Sequence, residues 1–161
     1  MSVTSVRTDE ESLTLTVVAD FAAPPERVWQ LWADPRQLER WWGPPAFPAT
    51  VDQHDLTPGG DVTYYMTGPD GGRFHGWWRV ATVEPSTSLE FVDGFADDKG
   101  VPDPTMPTTS VRVSLVARDG GTRMEIRSVF DSLDEMQRLV GMQMVEGMTE
   151  AVGQIDALLA A

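Results

Sequence analysis

The sequence predicts an α+β domain in which a strongly curved antiparallel sheet is closed by a long C-terminal helix, and three observations predict it. Across residues 49–131 apolar side chains recur with a period of two, punctuated by turn signals at strand-length intervals. One further strand pattern and two short helical patterns precede that region, and the longest helical pattern of the chain follows it. The space between sheet and helix should be tunnel-like. Residues 1–161 should form one domain, with residues 1–11 flexible.

In residues 12–21 Leu13, Leu15 and Val17 alternate with Thr14, Thr16 and Val18, a strand with one firmly apolar face. Pro24 and Pro25 then sit where a first helical turn tolerates proline, and Val28, Trp29, Leu31 and Trp32 form an apolar helical face until Asp34-Pro35 interrupts it. A second short helix over 35–42 presents Leu38, Trp41 and Trp42 and stops at Gly43-Pro44-Pro45. Strands are expected over 50–56, 62–67, 73–84, 88–95, 109–118 and 122–130, and residues 96–107 read as an exposed loop. The segment 132–160 opens with Ser132 as N-cap and Glu135 at capping-box spacing. Its apolar stripe runs through Met136, Val140, Met144, Gly147, Met148, Ala151, Ile155 and Leu158.

Composition narrows the function classes. Twelve basic residues stand against 25 acidic ones, a net charge of −13, and no window forms the basic stripe that nucleic acid or an anionic membrane surface requires. Cysteine is absent, which removes disulfides, thiolate metal sites and cysteine nucleophiles. The two histidines, His54 and His75, fall on different strands, so neither a metal nor another cofactor is expected. Residues 1–11 carry no leader pattern and no run of 18 apolar residues occurs, which predicts a cytoplasmic protein without membrane insertion.

Residues 23–44, "APPERVWQLWADPRQLERWWGP", resemble the signature of the START-like (SRPBCC, helix-grip) superfamily, in the branch of the activator of heat-shock-chaperone ATPase homologues (AHSA-type). The stretches "DLTPGGDVTYYMTGPDGG" (55–72), "GGTRMEI" (120–126) and "EGMTEAVGQIDALL" (146–159) fall at the family's spacing, while "FHGWWRV" (74–80) and "FVDGFADDKGVPDPTMPTT" (91–109) are similar to one bacterial subgroup. The chain departs at Thr57, where many relatives carry arginine, and at Met148, where many carry tryptophan. The resemblance implies a bacterial single-domain helix-grip protein, and lipid or polyketide binding as the superfamily's use of the fold.

The aromatic set Trp41, Trp42, Phe47, Tyr64, Tyr65, Phe74, Trp77, Trp78 and Phe91 is the feature most informative about function. Tryptophan and tyrosine carry polar atoms that need partners when buried, so they suit a cavity wall better than a close-packed core. Methionine on the facing helix adapts to bound molecules of varied shape. The residues expected to line a ligand site are Trp42, Phe47, Tyr64, Met66, His75, Trp78, Phe91, Val140, Met144 and Met148. Asp93, Asp97, Asp98 and Asp103 read as a solvated acidic group.

These residues predict a module that encloses a small hydrophobic or amphipathic molecule. The alternative is a cyclase- or hydrolase-like enzyme in which His75 or Tyr64 handles protons. A chaperone-ATPase accessory role, suggested by the family, ranks third, because a single domain leaves no room for the additional chaperone-binding domain of the eukaryotic activators. Apolar residues at the Trp41-Trp42 corner further predict a homodimer.

Overall fold

The computed structural model describes residues 2–160. Its elements run β1 (Val3–Asp9), β2 (Thr14–Phe21), α1 (Pro25–Ala33), α2 (Pro35–Leu38), β3 (Ala49–His54), β4 (Asp61–Thr67), β5 (Arg73–Glu84), β6 (Ser88–Phe95), β7 (Thr109–Arg118), β8 (Gly121–Phe130), α3 (Leu133–Gly141), α4 (Met144–Gly153) and α5 (Ile155–Ala160). The strands form one curved antiparallel sheet in the order β1-β2-β8-β7-β6-β5-β4-β3. This is the helix-grip α+β fold, with two short helices between β2 and β3 and a helical segment after β8.

Alternation decides which face of the sheet is the core. Leu15, Val17 and Ala19 of β2, Val113 and Leu115 of β7 and Met124 and Ile126 of β8 are buried, with Val17 and Val113 flanking Ile126 and Ala19 and Leu115 flanking Met124 in register. Helix α1 adds Val28, Trp29, Leu31 and Trp32, and the C-terminal segment adds Met136, Leu139, Ala151, Val152 and Ile155. Among the described residues no helix is long and apolar enough to cross a membrane.

Two sequence expectations are corrected. Residues 3–9 are not flexible: they form β1, paired from Val3↔Ala19 to Asp9↔Thr14, with Val3 and Val6 packed against the core. The stretch has only those two valines to mark it, and the ladder along β2 supplies what local pattern lacks. The remainder of the expected flexible segment is a turn over residues 10–13, and Met1 lies outside the described residues.

The helix expected over 132–160 is three pieces. Ser132 caps α3 as expected, its hydroxyl accepting from Glu135 N–H at 3.1 Å. After Gly141, Gln143 turns into the left-handed region (φ 67°, ψ 33°) and starts α4, and a second interruption follows Gly153. Glycine is the weakest ordinary helix former, so both interruptions fall beside the residue least able to resist them. The first one swings Met142, Gln143 and Met144 to the rim of a cavity.

Candidate ligand cavity

A cavity of about 650 Å³ lies between the inner face of β4, β5 and β6 and the helical segment from Leu139 to Glu150. That is ample for a small organic molecule. Trp42, at the end of the α2 turn, and Tyr64 and Met66 on β4 form one wall. Phe47 and Phe74 meet edge to face at 5.8 Å between ring centroids, and Phe74 is 59% exposed, which places this pair at the mouth. Met144, Gly147 and Met148 of α4 form the opposite side.

The polar centre of the cavity was not foreseen. Tyr64 donates its hydroxyl proton to Asp93 Oδ1 at 2.9 Å, from β4 across β5 to β6. Gly76, the β5 residue paired with Tyr64, makes the reach possible. A Cβ there would stand 2.5 Å from both the ring and the hydroxyl oxygen, so any side chain must displace the tyrosine. Burial pushes the Asp93 carboxyl up to about 7, against the opposing hydrogen bonds from Tyr64 and from the Gly94 N–H. Burial, reinforced by the Asp93 charge, likewise pushes the Tyr64 hydroxyl well above its ordinary value. The indole N–H groups of Trp42 and Trp78 counter part of that rise, yet neither reaches hydrogen-bond geometry with a partner among the described residues.

Asp93 therefore does not belong to the solvated acidic group in which the sequence put it, whereas Asp97 caps an exposed turn as expected. The missed signal is periodicity. Leu89, Phe91, Asp93 and Phe95 alternate along β6, and a carboxylate on the apolar face of a strand must find a partner or take up a proton.

Of the ten residues expected to line a ligand site, Trp42, Phe47, Tyr64, Met66, Met144 and Met148 border the cavity. The other four do not, and each has a physical reason. Trp78 and Phe91 stack at 4.0 Å between ring centroids and are 0% and 2% exposed, a second layer behind Trp42. Val140 packs half-buried against the core. His75 has the opposite strand parity from Gly76 and Trp78 and sits beside Tyr65, ring centroids 5.5 Å apart, on the outer face.

The aromatic set thus divides into three. Trp42, Phe47, Tyr64 and Phe74 meet the cavity, Trp41, Trp78 and Phe91 pack the core, and Tyr65 and Trp77 lie outside, with Arg73 over the Tyr65 ring at 4.4 Å. Trp41 and Trp42 are 0% and 5% exposed, so the exposed corner from which a homodimer was expected does not exist. Trp41 donates to the Leu31 carbonyl at 3.0 Å, and His54 Nε2 stands 3.0 Å from the Trp32 carbonyl, a structural tie.

Among the described residues nothing lies within 4 Å of a Cβ built on Gly147, so the helix does not approach the sheet closely there. Gly147→Ala should therefore gain the helix-propensity difference, about 0.8–1 kcal/mol, without a clash. Urea unfolding of the two proteins checks this, and a loss of stability would show that the helix sits closer to the sheet.

Residues 22–160 match the family described as "Activator of Hsp90 ATPase homolog 1-like protein". A protein of Arthrobacter aurescens, solved in solution, is 50% identical with a TM-score of 0.95, over 99% of this chain and 92% of that one. Crystalline Ms6760 of Mycobacterium smegmatis is 48% identical with a TM-score of 0.91, over 98% of this chain and 96% of that one. An AHSA1 protein of Silicibacter pomeroyi is 27% identical with a TM-score of 0.74, over 91% and 97% of the two chains. No curated protein matches the sequence. With the family's profile spanning the first helix to the last and the helix-grip fold shared with these relatives, the chain belongs to the Activator of Hsp90 ATPase homolog 1-like family, in the form of a bacterial-type START-like domain.

Proposed function

We propose that the protein binds a small hydrophobic or amphipathic molecule, lipid- or polyketide-like, in the cavity between the sheet and the C-terminal helices. The observation that carries this reading is a 650 Å³ space walled by aromatic and methionine side chains around one hydrogen-bonded polar pair, Tyr64 and Asp93. Apolar walls supply affinity, and a few fixed polar groups orient the occupant.

Met144 and Met148, one helical turn apart on α4, provide the test. Enlarging either to tryptophan fills space that is already empty, so Met144→Trp and Met148→Trp should leave thermal stability nearly unchanged while lowering affinity for a fluorescent fatty acid or aromatic polyketide probe. In a close-packed site the same changes would overpack and cost about 1–3 kcal/mol. A large loss of Tm in both variants would reject the cavity as a binding site.

A second reading, a cyclase- or hydrolase-like enzyme, is favoured by one feature. A carboxyl poised near 7 and hydrogen-bonded to a tyrosine can take up or release a proton at neutral pH beside a bound substrate. His75 does not border the cavity, so this reading rests on Asp93 and Tyr64. In a turnover assay with an aromatic polyketide substrate, Asp93→Asn should abolish an inflection near pH 7, and an unchanged pH–rate profile would remove this reading.

A further inference from the structure

The cavity's ionisable lining has one sign. Among the described lining residues the charged side chains are Asp93, Glu146 and Glu150, and none is lysine, arginine or histidine. Glu146 and Glu150 stand one turn apart on α4, exposed, and neither has an ion-pair or hydrogen-bond partner among the described residues. Like charges at this spacing repel along a helix, and Glu146, in the first turn of α4, is offset by the positive end of the helix dipole while Glu150, a turn further on, is not. Arg138, on the preceding helix, is turned to the Met106 sulfur and the Thr105 carbonyl. Phe47 and Phe74, at the mouth of the same cavity, offer aromatic rings, which attract cations through their negative faces.

We infer that the cavity selects a positively charged amphiphile, an alkyl or aryl chain carrying an ammonium group, with its head between Glu146 and Glu150 and the mouth aromatics and its apolar part against Trp42, Met66 and Met148. This rests on the reading that the cavity binds a small molecule. An anionic amphiphile of the same length would set its head group against uncompensated carboxylates. A neutral one would leave their mutual repulsion unrelieved.

The chain's net charge of −13 attracts any cation, so the test must separate the cavity from the surface. Three probes of equal chain length, decyltrimethylammonium, 1-decanol and decanoate, are titrated below their aggregation concentrations against the full chain and followed by tryptophan fluorescence. Each is repeated with Met144→Trp, to confirm that the signal comes from the cavity. The expected order is cation, then alcohol, then carboxylate. The double variant Glu146→Gln/Glu150→Gln should lose about tenfold in affinity for the cation, the scale of two partly exposed ion pairs, and keep its affinity for decanol. A control with the same change in net charge, Asp52→Asn/Asp119→Asn, alters exposed residues outside the lining and should leave the cation's affinity unchanged. Equal binding of decanol and the cation, or an equal loss in the control, overturns the cationic occupant while leaving the cavity a binding site. Failure of all three probes to respond to Met144→Trp overturns both.

Discussion

Trp78→Ala should destabilise the protein by about 3–5 kcal/mol, the range for deleting a large aromatic from a packed interior. Trp78 is 0% exposed, stacks on Phe91 at 4.0 Å and meets Trp42 edge to face at 4.9 Å between ring centroids. It is the layer on which the cavity wall rests, so its loss should also loosen Trp42 and Tyr64 and weaken probe binding. The indole N–H has no partner among the described residues, and a buried unpartnered donor carries a desolvation penalty. Trp78→Phe keeps the stack and removes that donor while leaving a smaller void, so it should cost clearly less than the alanine variant. Urea unfolding followed by circular dichroism measures both. A phenylalanine variant as unstable as the alanine variant would contradict this account of the layer.

Asp93→Asn should change the pH dependence of stability more than any other single substitution. The carboxyl is carried from an ordinary 3.8 to about 7 by burial, and the unfolded chain does not share the shift. Below about pH 4 it is neutral in both states and folding releases no proton. Between about pH 4 and 7 the folded protein retains a proton that the unfolded chain has lost, so stability falls as pH rises through that window. Above about 7 the fall is complete, and its size is at most about 4 kcal/mol. Asparagine still offers Tyr64 an acceptor but does not ionise, so the variant should be flat across the window and the more stable protein at pH 8. Chemical denaturation at pH 4.5, 6 and 8 compares the two, and a parent curve that does not decline from 4.5 to 8 would refute the assignment. Asp20 gives the opposite slope at lower pH: its bidentate ion pair with Arg123, at 2.8 Å, holds its carboxyl below the ordinary value.

Much of the architecture was legible because the signals are local. The strands from β2 to β8, the two short helices, the second ending at Leu38 and not at 42, and the Ser132 cap follow from period, proline placement and turn chemistry within a dozen residues of each element. What escaped was set by neighbours. β1 owes its order to the edge of β2, and the interruption at Gln143 owes its place to how the helices must lie over the sheet. Strand parity should have assigned His75 to the outer face, but the tandem Trp77-Trp78 gave both faces an apolar residue and hid it. Trp78 itself showed that a tryptophan suited to a cavity wall is equally able to fill the layer behind one.

The chain's residues alone determined the fold, its family resemblance, and that an aromatic and methionine-rich surface faces inward, because burial pattern is a property of periodicity and composition. Which of those residues border empty space, and the pairing of Tyr64 with Asp93 across Gly76, depended on three strands brought side by side. A carboxylate's partner and its pKa are set by what lies within a few ångströms in space, and residues 64, 76 and 93 are far apart along the chain.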